Sequence, residues 1–247
     1  MRVTPIASTV IHAVPFSLID TETGADMNDA MYGGAVSEID ALHEFAGRAC
    51  YKSWDKPNPA TATNQGYLEH IEDVKHFSIL EHGQVSFYVE DVSRSLLLEL
   101  ERHGRNSHLS FSVESQRYVS TSQHHPYPVT PALFRDAKAG LMGDELERRL
   151  WEFYKVALEN YDYAYAQARN LGYPVKQARE AARAFLPNST PVDFVTTADI
   201  RGWREVIEKR NDPAADREIQ EFAKIVLDHL SVICPNSVQD IPIEEAA

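Results

Sequence analysis

Apolar positions along the chain change period several times, and each change marks an element. Val3, Ile6, Val10 and Ile11 punctuate a polar opening and predict a first strand over Met1 to Ile11. Residues 12 to 37 contain Gly24, Gly33 and Gly34 with little periodicity and predict a long loop. From Glu38 to Cys50 the spacing turns helical through Ile39, Leu42, Phe45 and Ala46, with Ser37 placed to cap it. A proline-bearing loop from Tyr51 to Ala62 precedes a second helix, capped by Thr63 or Asn64, that carries Tyr67, Leu68, Ile71 and Val74. Gln84 to Asp91 alternates and is rich in Val, Phe and Tyr, as a half-buried strand is, and Val92-Ser93 is the expected turn into the next helix.

That helix has Leu96, Leu97 and Leu100 as its stripe, and Gly104 is read as its stop, in a position favouring positive φ. A β-leaning run follows from Leu109 to Val119, then a loop from Ser120 to Val129. Residues 131 to 171 place Leu146, Leu150, Trp151, Tyr154, Leu158, Tyr161 and Tyr165 along one long amphipathic helix, an aromatic stripe suited to a core or a subunit interface. Gly172 and Pro174 break it, and a further helix brings Arg179 and Arg183 one turn apart before Pro187. Pro191 to Ala198 reads as a strand. Asp199 to Arg210 reads as a helix with Ile200, Trp203, Val206 and Ile207 inward and Asp199 as its cap. A last helix, about Ala215 to Ile233, buries Ile219, Phe222, Ala223, Val226 and Leu230, and the acidic end from Ser237 is expected to fray. Four strands among many helices give an α+β class, a central sheet with packed helices, as a single domain over residues 1–247.

Composition narrows the function. With 24 Lys+Arg against 37 Asp+Glu the net charge is −13, which argues against nucleic acid or an anionic membrane as partner. No run of residues reaches the ~18 to 20 apolar positions of a membrane span, and a cytoplasmic protein is the expectation. Cations are nevertheless concentrated locally, in Lys176, Arg179, Arg183, Arg201, Arg204, Lys209 and Arg210. Cys50, in an apolar block, reads as core, and the two cysteines match no zinc spacing. His76, Glu81 and His82 follow no common metal order, so no metal is assigned; His82 reads as a hydrogen-bonded core residue and the pair His124-His125 as exposed.

Candidate chemistry centres on Ser93 to Tyr118. There a helix gives way to Arg102, His103, Arg105, Asn106, Ser107 and His108, and then to a serine-rich run closed by Ser115-Gln116-Arg117-Tyr118. Planar guanidinium groups beside hydroxyls suit a phosphate and a ring with carbonyl edges. A solvated helix face is the plain alternative for Arg and Glu so spaced.

In this stretch the chain resembles the flavin-dependent thymidylate synthases, whose signature is Arg-His-Arg, seven residues and Ser. Arg102-His103 opens that pattern and Ser115-Gln116-Arg117-Tyr118 closes it. Further blocks stand in family order: Phe45 to Tyr51, Lys56 to Pro59, His76 to His82 and Arg183 to Asn188. The loop is about three residues longer than the pattern, Val113 stands where Glu or Gln is usual with Glu114 next to it, and Asp199 and Glu205 stand where uncharged residues are usual. Two added carboxylates weaken binding of a pyrophosphate-bearing cofactor unless neighbouring cations offset them.

The resemblance implies reductive methylation of dUMP to dTMP by a homotetramer with shared sites. Methylenetetrahydrofolate gives the carbon, and NADPH reduces FAD. It implies Arg210 as catalytic; Arg94, Glu99, Arg102, Ser115, Gln116, Arg117 and Arg183 as substrate-binding; and His76, Ser78, Arg102, His103, Arg105, Asp199, Arg201 and Glu205 around the flavin. A non-catalytic nucleotide-binding relative is the rival reading, and a metal-dependent hydrolase using His76, Glu81 and His82 a third.

Overall fold

The computed structural model describes residues 1–12, 37–54, 56, 58–104, 107–136 and 139–242. The interior of the expected loop 12–37 therefore lies outside the described residues. Strands β1 (Arg2–Ser8), β2 (Gln84–Ser93), β3 (Ser110–Val113) and β4 (Pro191–Asp199) form one antiparallel sheet in the order β1-β2-β4-β3. The main helices are α1 (Glu38–Tyr51), α2 (Asn64–Asp73), α3 (Arg94–Glu101), α4 (Gly140–Asn170), α5 (Val175–Ala182), α6 (Ile200–Arg210) and α7 (Arg217–Ile233).

Alternation in the two central strands decides where the core lies. Val85, Phe87 and Val89 of β2 and Val192, Phe194 and Ala198 of β4 point to one face, where α3, α6 and α7 cover them with Leu96, Leu100, Trp203, Val206, Phe222 and Val226. Each such buried side chain contributes about 1.5–3 kcal/mol. Trp203 packs edge-on against Phe87, with ring centroids 5.1 Å apart, and donates its indole N–H to the Val85 carbonyl at 3.0 Å. The opposite face is more polar: Ser86 and Thr197 share a hydroxyl bond of 2.7 Å across the strands.

The expected turn at Val92-Ser93 is absent. Strand β2 instead shifts register between Val89 and Val92, with Asp91 at φ 55°, and runs on to Ser93. The Ser93 hydroxyl then accepts the Leu96 N–H at 3.1 Å, so strand passes into α3 through a cap. Thr63 and Asp199 cap α2 and α6 as their sequence positions suggest. The third strand is confined to four residues, because Ser115 onward leaves the sheet.

Helix α1 departs most from its apolar pattern. Ile39 is buried, but so are Asp40, His43, Glu44 and Arg48, whereas Leu42, Phe45 and Ala46 are half-buried. Two polar networks explain the inversion. Gly83 N–H donates to His43 Nε2 at 3.1 Å, which leaves the proton on Nδ1 for Ser237 Oγ at 2.8 Å, and Ser237 in turn donates to Asp40 Oδ1 at 2.5 Å. This order runs from imidazole to hydroxyl to carboxylate, the reverse of a hydroxyl that gives its proton to imidazole, and all three side chains are buried, so the trio is read as structural. Arg48 pairs with Glu44 at 2.6 Å and donates to the Ser53 and Thr61 carbonyls, while Asn64 reaches Glu44 at 2.9 Å. The expected fraying from Ser237 is corrected as far as residue 242, since Ser237 and Val238 are buried and Asp240 pairs with Arg204; residues 243–247 lie outside the described residues. Cys50, expected inside, is exposed, and Cys234 is buried. His82 is likewise exposed, and the buried histidine of this region is His43.

The long amphipathic segment is divided into a one-turn helix, Ala132–Arg135, and α4. Tyr154 and Tyr161 turn inward, with the Tyr154 hydroxyl on the His125 carbonyl at 2.9 Å, while Leu141, Met142, Trp151, Phe153, Val156 and Tyr163 remain exposed.

Candidate active site

The site is assembled where the end of α3, the loop to β3 and helix α6 meet. Leu96, Leu97 and Leu100 anchor α3 to the sheet, which turns Glu99 and His103 toward α6. Arg210, in the last turn of α6, donates Nε–H to His103 Nε2 at 2.7 Å, and its two terminal nitrogens reach a Glu99 carboxylate oxygen and the Glu99 carbonyl, both at 3.0 Å. Of the five N–H groups of a guanidinium, two remain available to a ligand. Burial, then the positive neighbours Arg210 and Lys209, lower the His103 pKa to about 4, so the ring is neutral and accepts. Burial and the nearby Asp216 raise the Glu99 carboxyl.

Gly104, expected as a left-handed stop, stays in an ordinary turn bonded to the Glu101 carbonyl; among the described residues of this loop the left-handed one is His108, at φ 49°. That conformation aims the His108 ring at Asp199, whose Oδ2 it meets at 2.8 Å, while Asp199 Oδ1 accepts the Gly202 N–H at 2.7 Å. Glu205 takes the Ser107 hydroxyl at 2.9 Å and an ion pair from Lys209. The two unusual carboxylates are thus compensated locally, by a helix N-terminus and a histidine in one case and a lysine in the other, rather than by an arginine. Gly202 matters here, because a Cβ on it would lie 2.0 Å from the Ser107 carbonyl oxygen.

A second cluster lies at the opposite end of α3. Arg183 is near enough to Arg94 to disfavour its charge: burial first, and then Arg183, lower the Arg94 pKa against an opposing effect of Glu114. Neither forms an ion pair among the described residues, and Arg94 Nε is buried with no partner. Ser115, Gln116 and Arg117 are half-buried in the segment after β3. Arg117 pairs with Glu180 at 2.6 Å through a terminal nitrogen and leaves its own Nε buried and unsatisfied. The structure also corrects the reading of His124-His125 as exposed: His124 is, but His125 is buried, with Nε2 2.9 Å from Glu114.

The other expected positions are less closely gathered. Arg201 pairs with Glu81, which ties α6 to the 3₁₀ turn Phe77–Glu81 that carries Ser78. Arg201 and Glu205 line a cleft of about 690 Å³ together with Phe77, Arg204 and Glu72. His76 lines a separate cavity of about 290 Å³ with Arg48 and Tyr67. Arg102 is exposed, and Arg105 lies outside the described residues. Sequence reasoning gave no role to Ser107, His108, His125 or Asp216. Only the first two carried a signal, since they sit inside the polar loop.

The family profile described as thymidylate synthase complementing protein matches residues 35–236. A probable flavin-dependent thymidylate synthase of Mycobacterium phage D29 is 44% identical over 247 residues, covering 99% of this chain and 97% of the relative. The flavin-dependent thymidylate synthase of Mycobacterium tuberculosis is 44% identical over 207 residues, 84% of this chain and 81% of the relative. Among solved structures, a flavin-dependent thymidylate synthase from Helicobacter pylori, complexed with FAD and dUMP, shares the fold at a TM-score of 0.61 and 18% identity, over 96% of this chain and 99% of that one. With identity of this extent along nearly the whole sequence, the chain belongs to the flavin-dependent thymidylate synthase family.

Proposed function

We propose that the protein converts dUMP to dTMP by reductive methylation, using FAD, with methylenetetrahydrofolate as carbon donor and NADPH as reductant. The observation that carries substrate binding is the pair of unpartnered arginines, Arg94 and Arg183, beside Ser115 and Arg117. Two buried guanidinium Nε–H groups without acceptors, on Arg94 and Arg117, fit a dianionic phosphate. Gln116 and Arg102 border the same substrate.

Arg210 supplies the fixed cation for the pyrimidine. Charge develops on the carbonyls and N3 of uracil as its C6 becomes electrophilic, and a guanidinium already held by Glu99 and His103 stabilises it without reorganisation. Ser115 has no base in hydrogen-bond contact, which agrees with a binding rather than a nucleophilic role. The residues fit a flavin cofactor: Arg201 as donor and Glu205 as acceptor line a cleft of cofactor size, with Ser78, His76, Arg102, His103, Arg105 and Asp199 as the other expected contacts. When bound, FAD supplies the hydride.

The expected contacts lie on separate surfaces of one chain, and the cleft with Arg201 does not include Arg94, Arg183 or Arg210. A homotetramer that completes each site from neighbouring copies accounts for this, and the exposed apolar residues of α4 suit its interface. Among the described residues no helix is long and apolar enough to cross a membrane, and cytoplasmic residence accords with a nucleotide substrate. An anaerobic assay with dUMP, methylenetetrahydrofolate and NADPH tests the reading. Flavin bleaching by NADPH followed by dTMP formation is expected, and flavin that stays oxidised with no dTMP would refute it.

A further inference from the structure

Glu114 is an unusual neighbour for an anion-binding site. It directly precedes Ser115, and its charge acts on Arg94. A free carboxylate there would compete with phosphate for that guanidinium. Yet Arg94 forms no ion pair among the described residues, and its Nε remains without a partner. Glu114 turns the other way, accepting from His125 Nε2 at 2.9 Å.

His125 is well placed to hold it. Its ring is buried, its backbone N–H donates to the Thr121 carbonyl at 2.8 Å, and its backbone carbonyl takes the buried Tyr154 hydroxyl of α4 at 2.9 Å. On the Glu114 side, the backbone N–H is fixed to the Asp193 carbonyl at 2.9 Å, and Asp193 Oδ1 accepts the Asp91 N–H at 3.0 Å. Donor atoms of Glu114, His125 and Asp193 all lie within 4.8 Å of one another, a spacing that also raises the question of a metal ion. A metal needs neutral imidazole. Here the hydrogen bond to Glu114, helped by the charges of Glu114, Asp193 and Asp91 and opposed by burial, shifts His125 toward its protonated form, which a metal would disfavour.

We propose that His125 is a positioning residue that holds Glu114 away from Arg94 and so keeps Arg94 and Arg183 open to the phosphate of dUMP. The inference rests on the substrate reading given above. Loss of His125 releases Glu114 toward Arg94, on which its charge already acts, and phosphate must then displace a carboxylate to bind.

Isothermal titration with dUMP and with deoxyuridine tests this on the wild type, His125→Ala, Glu114→Gln and the double variant, with thermal unfolding as a check on folding. His125→Ala should weaken dUMP binding about tenfold and raise KM for dUMP with little change in kcat. Deoxyuridine, which lacks the phosphate, should bind both proteins alike. Glu114→Gln should bind dUMP at least as tightly as wild type, and in the double variant it should restore what His125→Ala loses. Unchanged dUMP affinity in His125→Ala, an equal loss for deoxyuridine, or no rescue by Glu114→Gln would each overturn the proposal. Should His125→Ala not fold, Glu114→Gln alone decides, because weaker dUMP binding in it contradicts the competition. Wild-type protein that binds no dUMP would instead overturn the substrate reading itself.

Discussion

Arg210 and His103 are joined by a single bond of 2.7 Å in which the guanidinium donates and the imidazole accepts. The direction matters, because it requires a neutral ring beside a permanent cation and spends none of the arginine's outward-facing N–H groups. Replacing Arg210 by Ala should therefore lower turnover by about 10²–10³ with little change in far-ultraviolet circular dichroism. Lys at the same position keeps the charge but not the three bonds, and should recover only part of the loss. Single-turnover dTMP formation measures both, and an Arg210→Ala enzyme of normal rate would remove this residue from the chemistry.

The buried histidines set an acid limit. Burial, with a smaller effect from His82, pushes the His43 pKa down to about 3, whereas an unfolded chain titrates near the ordinary value of about 6.5. Its contribution is fully present above about pH 6.5 and is lost as pH falls toward about 3, at roughly 1.4 kcal/mol per pH unit. His103 acts in the same direction down to about 4. Urea denaturation between pH 4 and 7 should show stability falling with acidity, and His43→Gln, though less stable at neutral pH, should show a shallower fall. Equal slopes for the two proteins would contradict the assignment.

Gly202→Ala should disturb the flavin region from a position expected to contact no ligand. The new methyl group would meet the Ser107 carbonyl at 2.0 Å, so the loop must lift, and His108 and Ser107 then lose Asp199 and Glu205. Overpacking of this kind costs about 1–3 kcal/mol. The expected result is a lower melting temperature together with reduced FAD content after purification; normal FAD content would show that the loop contact does not support the cofactor site.

The exposed face of α4 offers a test of assembly. Phe153 is exposed on a helix whose Tyr154 and Tyr161 are buried, so an acid at Phe153 costs the monomer little. Phe153→Asp should shift the protein to smaller species in multi-angle light scattering while leaving its circular dichroism unchanged. A tetramer that persists would place the interface elsewhere.

Much of this architecture was legible because periodicity reports burial directly. Strands β2 and β4, helix α6 with Trp203 and Ile207, and α7 with Phe222 and Val226 follow their apolar spacing closely. Helix α1 does not, since Asp40, His43, Glu44 and Arg48 are buried by partners as distant in sequence as Ser237, and no local pattern encodes such a pairing. For the same reason His125 looked exposed beside two prolines. Its partner Glu114 comes near only after β3 has paired with β4. The juxtaposition of Glu99, His103 and Arg210 was implied by family resemblance, but the bonds among them depend on the α3–α6 packing that brings positions about a hundred residues apart into contact.

The segment between His103 and Ser107 is held at both ends by α6. His103 is bonded to Arg210 on one side, and on the other Ser107 and His108 are clamped to Glu205, Gly202 and Asp199. Residues added between two such anchors need not propagate a shift to either. A longer loop between these anchors therefore leaves the hold of His103, Ser107 and His108 on α6 unchanged, and a pattern that counts intervening residues measures the loop rather than the anchors.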